Sequence, residues 1–275
     1  MKKIFSAGMF VLIYLAVYYV FQYTYIIVAT TYYYVSDTKL KNLEVMDWLN
    51  NKLPSAIVFA AAISFLVYAW IVKASKKKDI FDYCKFNPIS LQKTTALILA
   101  GLSLVSLNAL VVVGISMLLP EAYEAHVENM MGLTSSGGLW MIFSVGLAAP
   151  FIEEVMFRGL ITNELDKVMS YKWVLFIQAL LFGLYHMNVA QGIYTFILAI
   201  FMGLTLHWTN SIWAPMIIHI ANNLSSALMS EYIDASSDIV NIGFGIWIGL
   251  SLLFILPFTL KYLYKTRSEW TSEEY

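Results

Sequence analysis

The chain has 275 residues, 60% of them hydrophobic and 13% charged, with a formal net charge of -1. A mean hydropathy of +0.69 is more apolar material than a soluble domain of this length needs, and the near-zero charge gives no basis for a nucleic-acid partner. Cys84 is the single cysteine, so no intrachain disulfide forms, and we read it as an ordinary reduced thiol.

A bilayer core is crossed by about 17 to 25 apolar residues. In chain order, stretches that meet or approach this length lie at 4–30, 54–72, 94–119, 137–157, 173–187, 189–208, 212–229 and 239–262. They predict an all-α, polytopic helical bundle of about eight transmembrane helices. Lys2 and Lys3 resemble the charged start of a signal peptide, but the apolar run after them exceeds the roughly 7 to 15 residues of such a segment and no A-x-A site follows. The first stretch is therefore read as a span.

Basic residues set the orientation. With the N-terminus inside, 14 of the 17 Lys and Arg residues fall on inner segments, and only Lys39, Lys41 and Lys52 fall outside. The positive-inside rule then places both termini in the cytoplasm. The run Lys76, Lys77 and Lys78 reads as an anchor facing anionic lipid heads. The outer stretches 121–128 and 231–238 hold acids and no Lys or Arg. Tyr32 to Tyr34, Trp48, Trp208 and Trp213 read as an interfacial aromatic belt.

No linker or low-complexity tract divides the chain, so residues 1–275 read as one membrane domain with its chemistry in 137–230. Ala199 and Gly203 form a small-xxx-small step for close helix packing.

Ionisable groups at membrane depth are costly and usually line a cavity where they act. Glu153 and Glu154 stand at the end of an uncharged run. Glu154 and Arg158 are spaced i to i+4, which suits an ion pair. Glu153 points about 100° away and lacks a local cation; a carboxylate removed from water takes up a proton more readily, which suits a general base. Pro150 is expected to bend the helix just before this pair and free backbone carbonyls.

Glu153 and His186 are symmetric about the polar turn near Met169 and Ser170, each roughly 24 Å along its helix. They can therefore meet in the cytoplasmic half of the bilayer or near its centre. The stretch 163–168 is expected to project beyond the hydrocarbon. Phe182 lies one turn before His186, and His219 and Asn223 share a face of the seventh span. His126 in an outer loop and His207 at an inner helix end are read as solvated. Two chemistries fit the set. Glu153, helped by His186, takes a proton from water while His219 and Asn223 stabilise the oxyanion; or Glu153, His186 and His219 are zinc ligands with an open fourth position.

Glu-Glu-x-x-x-Arg at 153–158, Phe-x-x-x-His at 182–186 and His-x-x-x-Asn at 219–223 together resemble the motifs of the CAAX-processing and bacteriocin-processing (Abi) family of intramembrane proteases, of type II CAAX prenyl endopeptidase kind. The resemblance covers about 137–230. It implies Glu153 as water-activating residue with His186 assisting, His219 and Asn223 as oxyanion pair, and Glu154, Arg158 and Phe182 as support. It also implies a helical bundle with a cavity opening toward the cytoplasm and the membrane. The partners implied are membrane lipid and a short membrane-associated peptide, or else a prenylated protein, in what reads as a bacterial plasma membrane. Two other classes fit buried Glu, Arg, His and Asn: a proton-coupled transporter, against which no inverted repeat is visible, and an idle scaffold that binds a sensor or export component.

Overall fold

The computed structural model describes residues 2–36, 44–233 and 237–268, and among these all regular structure is helical, with no strand. In chain order the helices are α1 (Lys2–Val35), α2 (Val45–Lys76), α3 (Ile80–Tyr83), α4 (Leu91–Leu118) and α5 (Pro120–Thr134). There follow α6 (Gly138–Asp166), α7 (Tyr171–Tyr185), α8 (Val189–Thr209), α9 (Trp213–Tyr232) and α10 (Asp238–Lys265). The outer-loop residues Lys39, Lys41 and Asp234 lie outside the described residues.

Each of the eight predicted spans falls on a helix, and six of these helices are both long and apolar enough to cross a membrane. The exceptions are α7 and α9. At 15 residues, α7 is about 22 Å long, short of a hydrocarbon core of about 30 Å. At 20 residues α9 is long enough, but His219, Asn222, Asn223, Ser225 and Ser226 make it too polar. Both carry candidate chemistry, α7 with Phe182 and the His186 cap and α9 with His219 and Asn223.

The core forms where α6 and α9 meet α1, α2, α4 and α8. Tyr68 on α2 joins three helices, its hydroxyl donating to the Tyr14 carbonyl at 2.7 Å and approaching Met156 Sδ at 3.2 Å. The outward face of α10 shows Ile242, Ile246, Leu253, Phe254 and Phe258. Such a row is unfavourable in water and suited to lipid.

Two connections differ from the sequence reading. The stretch 120–134 is helical rather than a plain loop, started by Pro120 at the first helical position with Glu121 in the first turn, both favourable there. At the other end of the bundle, 163–165 does not project into solvent but is buried. Asn163 donates to the Tyr83 carbonyl at 2.6 Å, and Glu164 pairs with Lys76 at 2.6 Å and Lys167 at 3.0 Å. Lys76 is thus turned onto the protein rather than toward lipid heads.

The α7–α8 hairpin is very tight. A Cβ on Gly183 would lie 2.6 Å from the Gly192 carbonyl oxygen, which is backbone and has nowhere to go. Further along the same face of α8, Gly203 packs on Leu175 and Gln178 of α7, and the Ala199 carbonyl accepts from Gln178 at 3.2 Å, the close packing expected of this step. Gly183→Ala should therefore wedge the hairpin open, lower the thermal midpoint by several degrees, and displace His186. Thermal unfolding of the purified variant measures this, and a wild-type midpoint would contradict the packing.

Orientation is testable independently. Reporter fusions after Lys78, Lys172 and Arg267 are expected to read cytoplasm, and those after Glu124 and Asp234 the exterior. A cytoplasmic signal from Glu124 overturns the arrangement.

Candidate active site

The helix that carries the glutamate pair is irregular on both sides of it. Within α6, Ser144–Ala148 and Val155–Ile161 run in π-helical register, bracketing Ala149–Glu154. In the first π segment the Ala149 N–H reaches back to Ser144 O. The donor that would then fall to Val145 O is the nitrogen of Pro150, which has no hydrogen. The carbonyl so released accepts from Asn223 Nδ2 at 3.2 Å. Pro150 thus frees a carbonyl as expected, and that carbonyl fixes which way the Asn223 amide faces. Such local π turns often mark functional positions in helices.

The second π segment carries Arg158 and Gly159. A Cβ on Gly159 would come within 2.5 Å of Cys84 Sγ. Gly159, directly after the motif, therefore lets the segment after α3 lie directly on α6. Cys84 itself is buried, and burial pushes its thiol well above the usual range, so it is inert.

Four charged or chargeable groups meet between α6 and α9. Arg158 Nη1 donates to Glu154 Oε1 at 3.0 Å, the expected i, i+4 pair, with both side chains shut off from solvent. The same Glu154 oxygen accepts from His219 Nδ1 at 2.7 Å, a contact between α6 and α9 that spacing within one helix does not show. A carboxylate oxygen already bound to a guanidinium only accepts, so Nδ1 carries hydrogen and Nε2 is the ring atom left to act. His219 Nε2 lies 3.7 Å from Glu153 Oε2, beyond hydrogen-bond range. Glu153 thus has a nearby imidazole, where the sequence showed no local cation.

Phe182 is wholly buried and packs on three members of the set. Its ring lies 4.4 Å from the Arg158 guanidinium carbon and is edge-on to His186 at 4.9 Å and His219 at 5.7 Å. Arg158 Nε and Nη2 make no hydrogen bond among the described residues, so the π face is the compensation they have in a dry site.

His186 is the C-cap of α7, and Met187, with φ of 51°, turns the chain into α8. The ring's Nδ1 is 2.8 Å from the Phe182 carbonyl, which only accepts, so this imidazole also has its hydrogen on Nδ1 and its Nε2 free. Among the described residues no hydrogen bond joins His186 to Glu153. Both instead line one cavity of about 320 Å³, together with Asn223, Gln191 and Gln22. A second cavity, of about 370 Å³, is lined by His186, His219, Asn222, Asn223, Gln191 and His126. His186, Gln191 and Asn223, with Leu133 and Val145, form the wall the two share.

These cavities run from mid-bundle toward the end formed by α5 and the start of α2, with Ile57, Leu133, Thr134 and Ser230 among their linings. The basic residues assign that end to the exterior. The resemblance implied a cytoplasmic opening, whereas these linings lie toward the end that the basic residues assign to the exterior, and the fusion at Glu124 tests that assignment.

The zinc alternative fits in one respect only. Both imidazoles donate Nδ1–H to an oxygen, as metal-ligating histidines commonly do. Yet no three His, Cys, Asp or Glu side chains among the described residues gather closely enough to hold a metal ion. Glu153, His186 and His219 are thus not assembled as a ligand set among the described residues.

Several contributors were missed. His126 is buried beside Tyr194, with ring centroids 5.6 Å apart, and its titration is held low by burial; it is not solvated. The spacing of His126, Met130, Leu133 and Thr134 marks one helical face and would have shown this. His207 stacks on Tyr171 at 3.8 Å. Asn222 receives a hydrogen bond from Asn108 at 3.3 Å and locks α9 to α4. Tyr18, Tyr19 and Gln22 of α1 wall the smaller cavity. Their sole forewarning is Gln22, a carboxamide in an otherwise apolar span.

Residues 135–225 match the family model described as type II CAAX prenyl endopeptidase Rce1-like. No curated protein and no solved structure matches the chain. The matched stretch contains Glu153, Glu154, Arg158, Phe182, His186, His219 and Asn223. The apolar helices make the chain a multi-pass membrane protein, and its residues 135–225 are similar to a type II CAAX prenyl endopeptidase domain.

Proposed function

We propose that the chain hydrolyses a peptide bond within the membrane, with Glu153 as general base and His219 and Asn223 as the oxyanion donors. The observation that supports this best is the position of His219, held by Glu154 at 2.7 Å with its other nitrogen 3.7 Å from Glu153. In this scheme His219 acts as the imidazolium, its Nδ1–H on Glu154 and its Nε2–H facing the cavity, so that two carboxylates are matched by one guanidinium and one imidazolium.

Glu153 then abstracts the proton of a water that attacks the scissile carbonyl. His186, neutral with Nε2 open, accepts a hydrogen bond from the same water and aims it. The developing oxyanion is met by His219 Nε2–H and by the Asn223 N–H not engaged by Val145. The proton on Glu153 passes to the leaving amine, so the cluster returns to its starting charge. No step here uses a metal.

The substrate we favour is a short membrane-associated peptide or prepeptide, with a prenylated protein second, in a bacterial plasma membrane. Residues 137–230 form the catalytic core of the single domain. Purified protein in detergent should cleave such a peptide, and Glu153→Ala should abolish the cut. Cleavage that persists in Glu153→Ala would refute the assignment, and no cleavage by the wild type would favour the scaffold or transporter.

A further inference from the structure

We propose that Gln22 of α1 and Gln191 of α8 are positioning residues that hold the substrate's main chain across the site. The inference deepens the endopeptidase reading and rests on it. Between Lys3 and Ser36, Gln22 is the sole carboxamide or charged residue. The hydroxyls of Thr24, Thr30 and Thr31 in the same helix are satisfied by carbonyls of the preceding turn, at 2.6, 2.8 and 2.8 Å. Gln22 has no hydrogen-bonding partner among the described residues, and it shares with Tyr18 and Tyr19 the face of α1 that lines the cavity holding Glu153.

Gln191 is similar. Its backbone is fully engaged, the N–H donating to Asn188 Oδ1 at 2.9 Å and the carbonyl accepting from Thr195 at 2.7 Å. Its carboxamide has no partner among the described residues and stands in the wall between the two cavities, with His186 and Asn223. A polar group at membrane depth is costly when unsatisfied. Two carboxamides turned into one reactive cavity from helices on different sides therefore point to a ligand that satisfies them.

Peptide backbone meets that requirement. A primary amide offers donors and an acceptor together and can pair with the N–H and C=O of an extended residue. A helical segment has already spent those groups internally. The device thus selects an unwound stretch of chain next to the scissile bond, irrespective of side chains.

The test uses full-length protein in detergent and a cleavable peptide in which single amides flanking the cut are replaced by esters, removing one N–H at a time. Wild type should lose about 3- to 10-fold in kcat/KM at one or two such positions, the value of an ordinary neutral hydrogen bond. Gln22→Leu and Gln191→Leu should each lose a similar factor on the all-amide peptide, at wild-type thermal stability, and each should abolish the ester penalty at its own position. Indifference of the wild type to every ester overturns the proposal, and this holds even if a variant fails to fold. So do ester penalties that persist unchanged in both variants. If cleavage depends on Glu153 but not on either glutamine, this inference alone falls; if wild type does not cleave, or Glu153→Gln still does, the endopeptidase reading falls and takes it along.

Discussion

Glu153→Gln is expected to insert and fold like the wild type and to lose about 10²- to 10⁴-fold in kcat, the usual contribution of a positioned general base. The substitution preserves volume and hydrogen-bonding capacity, and among the described residues Glu153 makes no side-chain hydrogen bond that the fold depends on; the His219 imidazole is 3.7 Å away. Glu154→Gln should behave in the opposite order. It removes the charge that Arg158 and His219 share, at 3.0 and 2.7 Å, in a fully buried site. Breaking one side of such a pair costs about 3 to 5 kcal/mol, so yield and thermal midpoint should fall first. Turnover should fall as well, because His219 loses the acceptor that orients it. Thermal unfolding and initial rates on both variants decide the matter: equal folding defects would refute the division of roles.

The fold was largely legible because apolar stretches in lipid have few options; backbone groups must bond within the segment, which makes each stretch a helix. Composition misled where it met chemistry. The polar residues of α9 and the shortness of α7 are what a site inside a bundle requires, and a hydropathy reading counts them only as weaker spans. The Glu154–Arg158 pair was readable because it lies within one helix. The Glu154–His219 bond was not, since it depends on how α6 and α9 pack between positions 65 apart in sequence. Similarly, Pro150 announced a freed carbonyl, but not that Asn223 would take it. The contribution of α1 and α5 was hidden because a cavity wall needs little more than a helical face, and Tyr18, Tyr19 and Met130 look the same in lipid, in a core or in a site.

Asn223→Ala is expected to lower kcat by about 10²- to 10³-fold, the cost of removing one oxyanion donor, with a smaller effect on KM. Substrate carbonyl and oxyanion differ in charge, and a donor placed for the latter acts mainly on the barrier. The Val145 carbonyl, which accepts from Asn223 at 3.2 Å, loses its partner too, so thermal stability should drop modestly. A zinc scheme also predicts damage here, since Asn223 would then sit behind the metal or on the oxyanion. Metal content separates the schemes. Zinc ligands stand about 2.0 to 2.2 Å from the ion, and Glu153, His186 and His219 are not gathered that closely among the described residues. The metal-free scheme predicts that active protein retains its rate after exhaustive chelation. Close to one zinc per chain, with activity lost on chelation and restored by zinc, would reassign Glu153 from base to ligand and leave Asn223 either behind the metal or on the oxyanion.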